Sequence, residues 1–530
     1  MNGLGTRLRR LFKEPTVSTD ELRLPPEILG ALTQKDAPRV QQWLNQSLQS
    51  RKTIPDLAPV VEAAQRAGWS AIDLTKLETF TYYYHGDSAK ALNRAKAYID
   101  TVDFDPDLFI VAILSLHQLG LFEEAYQRLS DLGDREEFFD GRSDFALSAA
   151  LICWAANDAQ ETRRHISNAR RLAPDDTVIA LNANAMYFEL GDLADFAQVR
   201  AALQGGQHDL DKTGYSLAVV ELAQDHYEDG FRLLESRYQM QDAHRYLNRG
   251  LFDRPRWTGE TLCGKTLLIS AEQGLGDTIQ MARFLPQMET LGCARVLMES
   301  QPETVTLLQF NFPQFEFLVR EYDQAPTRTF DLWTGLMSLP HLFRTTADTV
   351  PDRSGYLRVP PDNTHYWCGR VAQLARPGKP RIGLAWSGFP THRADRRRSI
   401  PFNRMMEAIR GLDADFFSLQ ISVPPSHPAN LIDVSEELVT IADTAALIAE
   451  MDLIITVDTS IVHLAGAIGH PTWLLLPYRY EWRWGLDGET NRWYDSVRIL
   501  RSRVSGDWTN LLVEVFESRL PDWLSWQRSS

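Results

Sequence analysis

Asp458, Thr459, Ser460 and His463 fall within six residues, after the apolar run "LIITV" and at the head of the small-residue stretch "SIVHLAGAIG". Where a strand ends and a helix begins, free backbone N–H groups and hydroxyls suit phosphate oxygens. A histidine one turn into that helix can face the same anion, donate a hydrogen bond to it or help a leaving group depart. Singly, Asp458 or Thr459 reads equally well as a helix cap. The four together favour a bound ligand.

Gly274, Leu275, Gly276 and Asp277 hold the corresponding place after the run "TLLIS". The two glycines permit close approach of a ligand to the backbone. The stretch lacks the third glycine of the dinucleotide fingerprint and a clear ribose-binding acid. Asp277 is placed either to cap its helix or to act as a general base towards a cleft. Glu272 is a second carboxylate in this turn. Gln273 and Gln280 suit a hydroxyl-rich ligand or a plain surface.

A third segment, "WSGFPTHRADRRRSIP", starts at Trp386 and packs His392, Arg393, Arg396, Arg397, Arg398 and Ser399 into one basic stretch. Arginine forks match phosphate geometry, whereas a charge run is otherwise a solvated face. Which arginine points inward is not written in the local pattern. Gln420, in "SLQ" after the next apolar run, is placed to line a nucleotide pocket together with Ser418. No Asp-x-Asp pattern lies at these strand ends, so no metal site is expected.

These residues need parallel strands to bring them together, because ligands of open parallel sheets sit at the C-terminal strand ends. "TLLIS" and "RVLMES", separated by a helical stretch, give βαβ order over residues 257–360. "RIGLAWSG", "FFSLQIS", "DLIITVD" and "TWLLLP" give a second parallel sheet over 361–530. Two Rossmann-like halves around a cleft is the expected architecture. The closing amphipathic stretch "WTNLLVEVFESRLPDWLSWQ" is expected to cross back over the first half.

The first half of the chain is helical in pattern. Turn-like stretches start at Gly86, Gly120, Asn157, Gly191 and Asp225, spaced 34, 37, 34 and 34 residues apart. That period of helix pairs is the tetratricopeptide signature. The residue five positions on is Ala91, Ala125, Thr162, Phe196 and Gly230, small except for Phe196. Residues 81–240 are therefore expected to form a tetratricopeptide-like α superhelix with a groove for an extended protein segment. Residues 1–80 would be a helical cap, and 240–256 a junction.

The chain has 530 residues, 44% hydrophobic and 24% charged, with net charge -15. It is too long for one core, and too acidic for a nucleic-acid partner with a broad basic face. No apolar run reaches the length of a membrane span. The basic N-terminus lacks the apolar core of a secretory signal and reads as a solvated tail. Four scattered cysteines show no metal or disulfide spacing, which fits a reducing cytoplasm.

Together "LLISAEQGLGDTIQMARFLP", "GLAWSGFPTHRADRRRSIP", "SLQ", "DTAALIAEMDLIITVDTSIVHLAGAIGHPTWLLLP" and "EWRW" resemble tetratricopeptide-linked bacterial glycosyltransferases of GT-B fold, related to the heptosyltransferases. The resemblance covers residues 257–508. It implies Asp277 as catalytic base, His463 beside the leaving group, and a donor loop at Asp458, Thr459, Ser460 and His463. Serine stands here where the family has glycine. Gly274, Gly276, Trp386, Arg398, Ser399 and Gln420 complete the donor site that it implies. It further implies inverting, metal-independent transfer from a nucleotide-activated sugar, with no other cofactor. Flagellin glycosyltransferases resemble the chain in both halves, which implies flagellin as protein acceptor and a nonulosonic acid such as pseudaminic acid, delivered as its CMP derivative. The first Rossmann-like half is short for this family. A transferase acting on lipopolysaccharide, and a scaffold or chaperone with a degenerate transferase half, are the alternatives.

Overall fold

The computed structural model describes residues 26–36, 39–40, 58–84, 86–205, 210–239, 252–321, 324–389, 395–478, 481–502 and 507–529. The N-terminal tail, most of the junction at 240–256, and His392 with Arg393 lie outside the described residues. The chain divides into two compact units, residues 1–140 and 141–530. The division falls inside the stretch read from sequence as repeats.

The first unit is helical. Ala71–Tyr84 pairs with Ser88–Ile99 across Gly86, and Pro106–Gln118 pairs with Phe122–Ser130 across Gly120. In the second unit Ser143–Ala155 and Ala159–Leu172 flank Asn157. Thr177–Leu190 and Leu193–Gly205 flank Gly191, and Leu210–Ala223 and Tyr227–Leu234 flank Asp225. All five turn residues have positive φ, between 63° and 80°. Glycine, asparagine and aspartate tolerate that left-handed conformation, which ends one helix and admits the next. The residues five positions on are buried, and a Cβ at Gly230 would lie 2.6 Å from Leu222 Cγ. Small side chains there let the paired helices close. Phe196 instead packs on Phe188, ring centroids 5.6 Å apart.

The second unit also holds two all-parallel sheets. The first comprises β1 (Thr266–Ser270), β2 (Arg295–Ser300), β3 (Glu316–Val319) and β4 (Leu332–Gly335), in the order β3-β2-β1-β4. The second comprises β5 (Arg381–Ala385), β6 (Asp415–Ser418), β7 (Leu431–Ile432), β8 (Leu453–Val457), β9 (Thr472–Leu476) and β10 (Val497–Arg501). Its order is β10-β9-β8-β5-β6-β7. That is the doubly wound Rossmann order, with the switch point between β5 and β8; the first sheet follows it with two strands fewer. β8 and β9 are buried throughout, as parallel strands covered on both faces require. Helices of residues 146–234 share one continuous hydrophobic core with both sheets. Tyr227 stacks on Trp493 at 5.4 Å, and Phe231 meets Trp482 edge-on at 5.8 Å.

The C-terminal helical stretch from Thr509 differs from expectation. Leu511, Val515, Phe516, Leu520 and Leu524 pack with Met405, Ile409, Trp473 and Leu475 in the core of their own six-stranded sheet. That sheet leaves an apolar face which this stripe fills, so none of the stripe remains for the first half.

Candidate active site

Two strand-to-helix turns meet at the C-terminal ends of the two sheets. After β1 the chain turns through Gln273, at φ +56°, and Gly274 into the Leu275–Met281 helix. Asp277 Oδ2 accepts a hydrogen bond from Gly274 N–H at 2.9 Å, so the aspartate does cap its helix. Its other oxygen is paired with Arg483. Capping leaves Asp277 anchored by one edge and directed at a cation by the other.

After β8, Thr459 Oγ1 accepts from Ile461 N–H at 3.3 Å and caps the Ser460–Ala467 helix. Asp458 is buried at the strand end, and His463 is buried one turn in. The turns touch: a Cβ on Gly276 would sit 2.7 Å from His463 Cδ2 and 3.5 Å from Ser460 Cα. Gly276 is thus required for the approach of the two helix N-termini, where the sequence pointed to the approach of a ligand.

The basic segment contributes Arg398, whose Nη1 donates to the backbone oxygen of Asp458 at 2.9 Å. Its Nε lies 3.4 Å from Asp395 Oδ1. The side chains of Arg396 and Arg397 lie outside the described ones. Ser399 Oγ accepts from Gly388 N–H at 3.1 Å. Gln420 Oε1 accepts from both Trp386 N–H and Ser387 N–H at 2.9 Å, fixing the loop after β5. The Trp386 indole is turned into the core against Phe402, so its backbone rather than its ring faces this loop.

Sequence reasoning gave no role to the residues that join the two turns. Arg483 pairs with Asp277, donates from Nε to Gln280 Oε1 at 2.6 Å, and lies 2.7 Å from Glu481. It also packs over the Trp482 ring at 4.3 Å. His463 stacks on Trp484 with centroids 5.4 Å apart, and its Nδ1 lies 3.1 Å from the Tyr494 hydroxyl. The quoted "EWRW" was the only signal of this group; Tyr494 carried none.

Burial above all holds the His463 pKa well below its usual value, and Arg483, Arg283 and Arg398 add to that. The ring is neutral. Nδ1 is engaged by the Tyr494 hydroxyl, and Nε2 is the edge turned to the Gly276 side. Burial also raises the Asp458 carboxyl, against the opposing pull of Arg398 and Arg483. Glu481 is raised for the same reason, with Arg483 opposing. A neutral imidazole N–H, hydroxyls, helix N-termini and two arginines make a site suited to an anion.

Glu272 has a different place. It is buried and held by both Nε and Nη2 of Arg237, each at 3.0 Å, and it accepts from Met337 N–H at 2.9 Å. It ties the last helical segment to the first sheet. Tyr215, from the Leu210–Ala223 helix, is raised by burial and feels the charges of Glu481, Arg483 and Asp277. Phe231 of the helical part meets Trp482, over which Arg483 packs, so the helical part borders the site. Among the described residues no group of three or more His, Cys, Asp or Glu could hold a metal ion, and no helix is long and apolar enough to cross a membrane.

No family model matches the chain. Protein FlbA of Caulobacter vibrioides is 29% identical over 371 residues, 64% of this chain and 60% of that protein. The chain thus spans less than two thirds of the relative it matches. A glycosyl transferase family 9 structure from Veillonella parvula is 12% identical, covering 51% of this chain and 99% of that one, with TM-score 0.37. The E. coli ADP-heptose lipopolysaccharide heptosyltransferase II is 14% identical over 50% and 100%, with TM-score 0.36. An O-GlcNAc transferase variant of Thermobaculum terrenum is 10% identical over 90% and 94%, with TM-score 0.33. Likenesses at these scores are loose and decide nothing about activity.

Proposed function

We propose that the chain is a glycosyltransferase that moves a sugar from a nucleotide-activated donor to a hydroxyl of a protein acceptor, with inversion and without a metal. The observation that carries this reading is the meeting of the Asp277 turn and the Asp458–His463 turn through Gly276, at the switch-point side of two Rossmann-ordered sheets. The donor phosphate takes the N-terminus of the Ser460–Ala467 helix, with Thr459, Ser460, His463 and Arg398 as partners. Ser399 and Gln420 hold the loop beneath the nucleotide, and Gly274 and Gly276 let the two turns close on each other at the donor's edge.

The acceptor oxygen attacks the anomeric carbon while the bond from that carbon to the phosphate oxygen breaks. Asp277 takes the acceptor proton, and the nucleotide leaves with its charge met by Arg398 and Arg483. Arg483 joins Asp277 to Glu481 in the resting site. Drawn towards phosphate, it frees the Asp277 carboxylate to act as base.

The 34-residue period and the three helix pairs of the second unit support a tetratricopeptide-like surface as the seat of the acceptor, and the contact of Phe231 with Trp482 supports entry from that side. Flagellin Ser/Thr as acceptor, and a CMP-linked pseudaminic-type acid as donor, rest on the sequence resemblance. A non-catalytic scaffold is the second reading, favoured by the fact that both Asp277 oxygens are already engaged.

Thermal unfolding of the purified chain with CMP, UDP, GDP, ADP or dTDP tests the proposal. A rise in midpoint with one nucleotide, lost in Asp458→Ala, supports a transferase and identifies the donor class. A rise with CMP alone points to the nonulosonic acid. No rise with any nucleotide or nucleotide sugar favours the scaffold.

A further inference from the structure

The first sheet brings two thiols together at the end opposite Asp277. Cys263 precedes β1 and Cys293 precedes β2, and the two residues oppose each other in an antiparallel bridge. Gly264 N–H donates to Gly292 O at 3.3 Å and Ala294 N–H to Lys265 O at 2.9 Å, so the cysteines face each other in a single bridge just before the parallel strands begin. Directly opposed residues of antiparallel backbone have Cα atoms ~4.5–5.5 Å apart. A disulfide accepts Cα separations of about 4.4–6.8 Å. A Cβ on Gly264 or Gly292 would meet nothing within 4 Å, so both flanks are open. Cys263 is exposed and Cys293 half-buried, both as free thiols. Their spacing in the sequence carries no sign of this pairing.

We propose that Cys263 and Cys293 form a reversible disulfide, closing a covalent ring around β1, the Gly274–Asp277 turn and the helix that follows. Burial raises the Cys293 thiol pKa, so the exposed Cys263 is the thiol that reacts first. Its thiolate attacks one sulfur of glutathione disulfide, and one glutathione leaves as thiolate and takes a proton. Cys293, giving up its own proton, then attacks the mixed disulfide at the Cys263 sulfur and expels the second glutathione. Two protein thiols are oxidised and one glutathione disulfide is reduced to two thiols. An exposed cross-strand disulfide is readily reduced again. The ring would tie the turn that carries Asp277 to the redox state of its surroundings. The buried Cys153, whose pKa is pushed up to about 12, and the isolated Cys368 serve as internal controls.

The test is to treat the native full chain with glutathione disulfide, block remaining thiols with N-ethylmaleimide in urea and digest with trypsin. Cleavage after Arg256, Lys265, Arg283 and Arg295 releases residues 257–265 and 284–295 as separate peptides. The proposal expects them joined by a disulfide, with Cys153 and Cys368 as maleimide adducts, and the link lost on adding reduced glutathione. In Cys263→Ser the joined pair disappears and Cys293 is alkylated. Persistence of Cys263 as a glutathione adduct or free thiol beside an alkylated Cys293 would overturn the proposal. So would a link that forms no faster in the native chain than in urea, or one that joins two chains.

Discussion

At the residue scale, the site rests on a neutral histidine with one ring nitrogen engaged by the Tyr494 hydroxyl. Tyr494→Phe removes the only hydrogen bond to His463 Nδ1 among the described residues. A single such bond contributes about 0.5–1.5 kcal/mol. The expected outcome is nucleotide binding weakened by roughly 3- to 10-fold, with a changed tautomer population in the His463 ¹⁵N spectrum. An unchanged spectrum would remove Tyr494 from the account. Burial lowers the pKa of His463 and of His470, the latter to about 4. Below pH ~6.5 the unfolded chain binds protons that these folded residues refuse, so their effect is a loss of stability as pH falls. Denaturation midpoints from pH 7 to 4.5 should decline, by up to about 1.4 kcal/mol per pH unit per histidine, and His470→Asn should flatten the slope. The two turns were legible in the sequence because a strand end and a helix start leave a local pattern. Arg483 was not: it meets Asp277 across 206 residues of chain, from a segment with no period to read.

At the element scale, buried strands with long apolar runs announced themselves, whereas the four-residue β4, buried throughout but half Thr and Gly, did not. β1, β5, β6, β8 and β9 are continuous apolar runs that the sequence displays directly. β3 is only partly buried, β7 has two residues and β10 alternates with arginines, so their patterns merge with loops. The C-terminal stripe was legible as amphipathic but not as to its partner, because an apolar face fits any apolar surface of the right shape. The element contact that matters for the site is that of the two helix N-termini. Gly276→Ala places a methyl against His463 at 2.7 Å. Overpacking of this kind costs about 1–3 kcal/mol. A lowered thermal midpoint together with weakened nucleotide binding is expected; a loss of stability with full binding would show that the approach of the turns is not needed for the ligand.

At the scale of the whole molecule, the helical stretch of the second unit is not an appendage. It shares its core with both sheets and is pinned by the buried Arg237–Glu272 pair. Glu272→Ala leaves the buried Arg237 guanidinium with Glu235 as its one remaining carboxylate partner among the described residues and should cost about 1.5–3 kcal/mol, read by urea denaturation. A change below 1 kcal/mol would mean that the junction is held by its apolar contacts alone. The helix-pair period was legible in the sequence, but the sharing of one core was not, since neither partner's pattern names the other. The central claim is that both turns serve one anionic donor, and hydrogen–deuterium exchange of the native chain at millimolar CMP, UDP, GDP or ADP tests it most directly. The account predicts that one of these nucleotides slows exchange at 458–463 and at 274–277 together. Protection at the Gly274 turn alone, or at neither turn with any nucleotide, would contradict it.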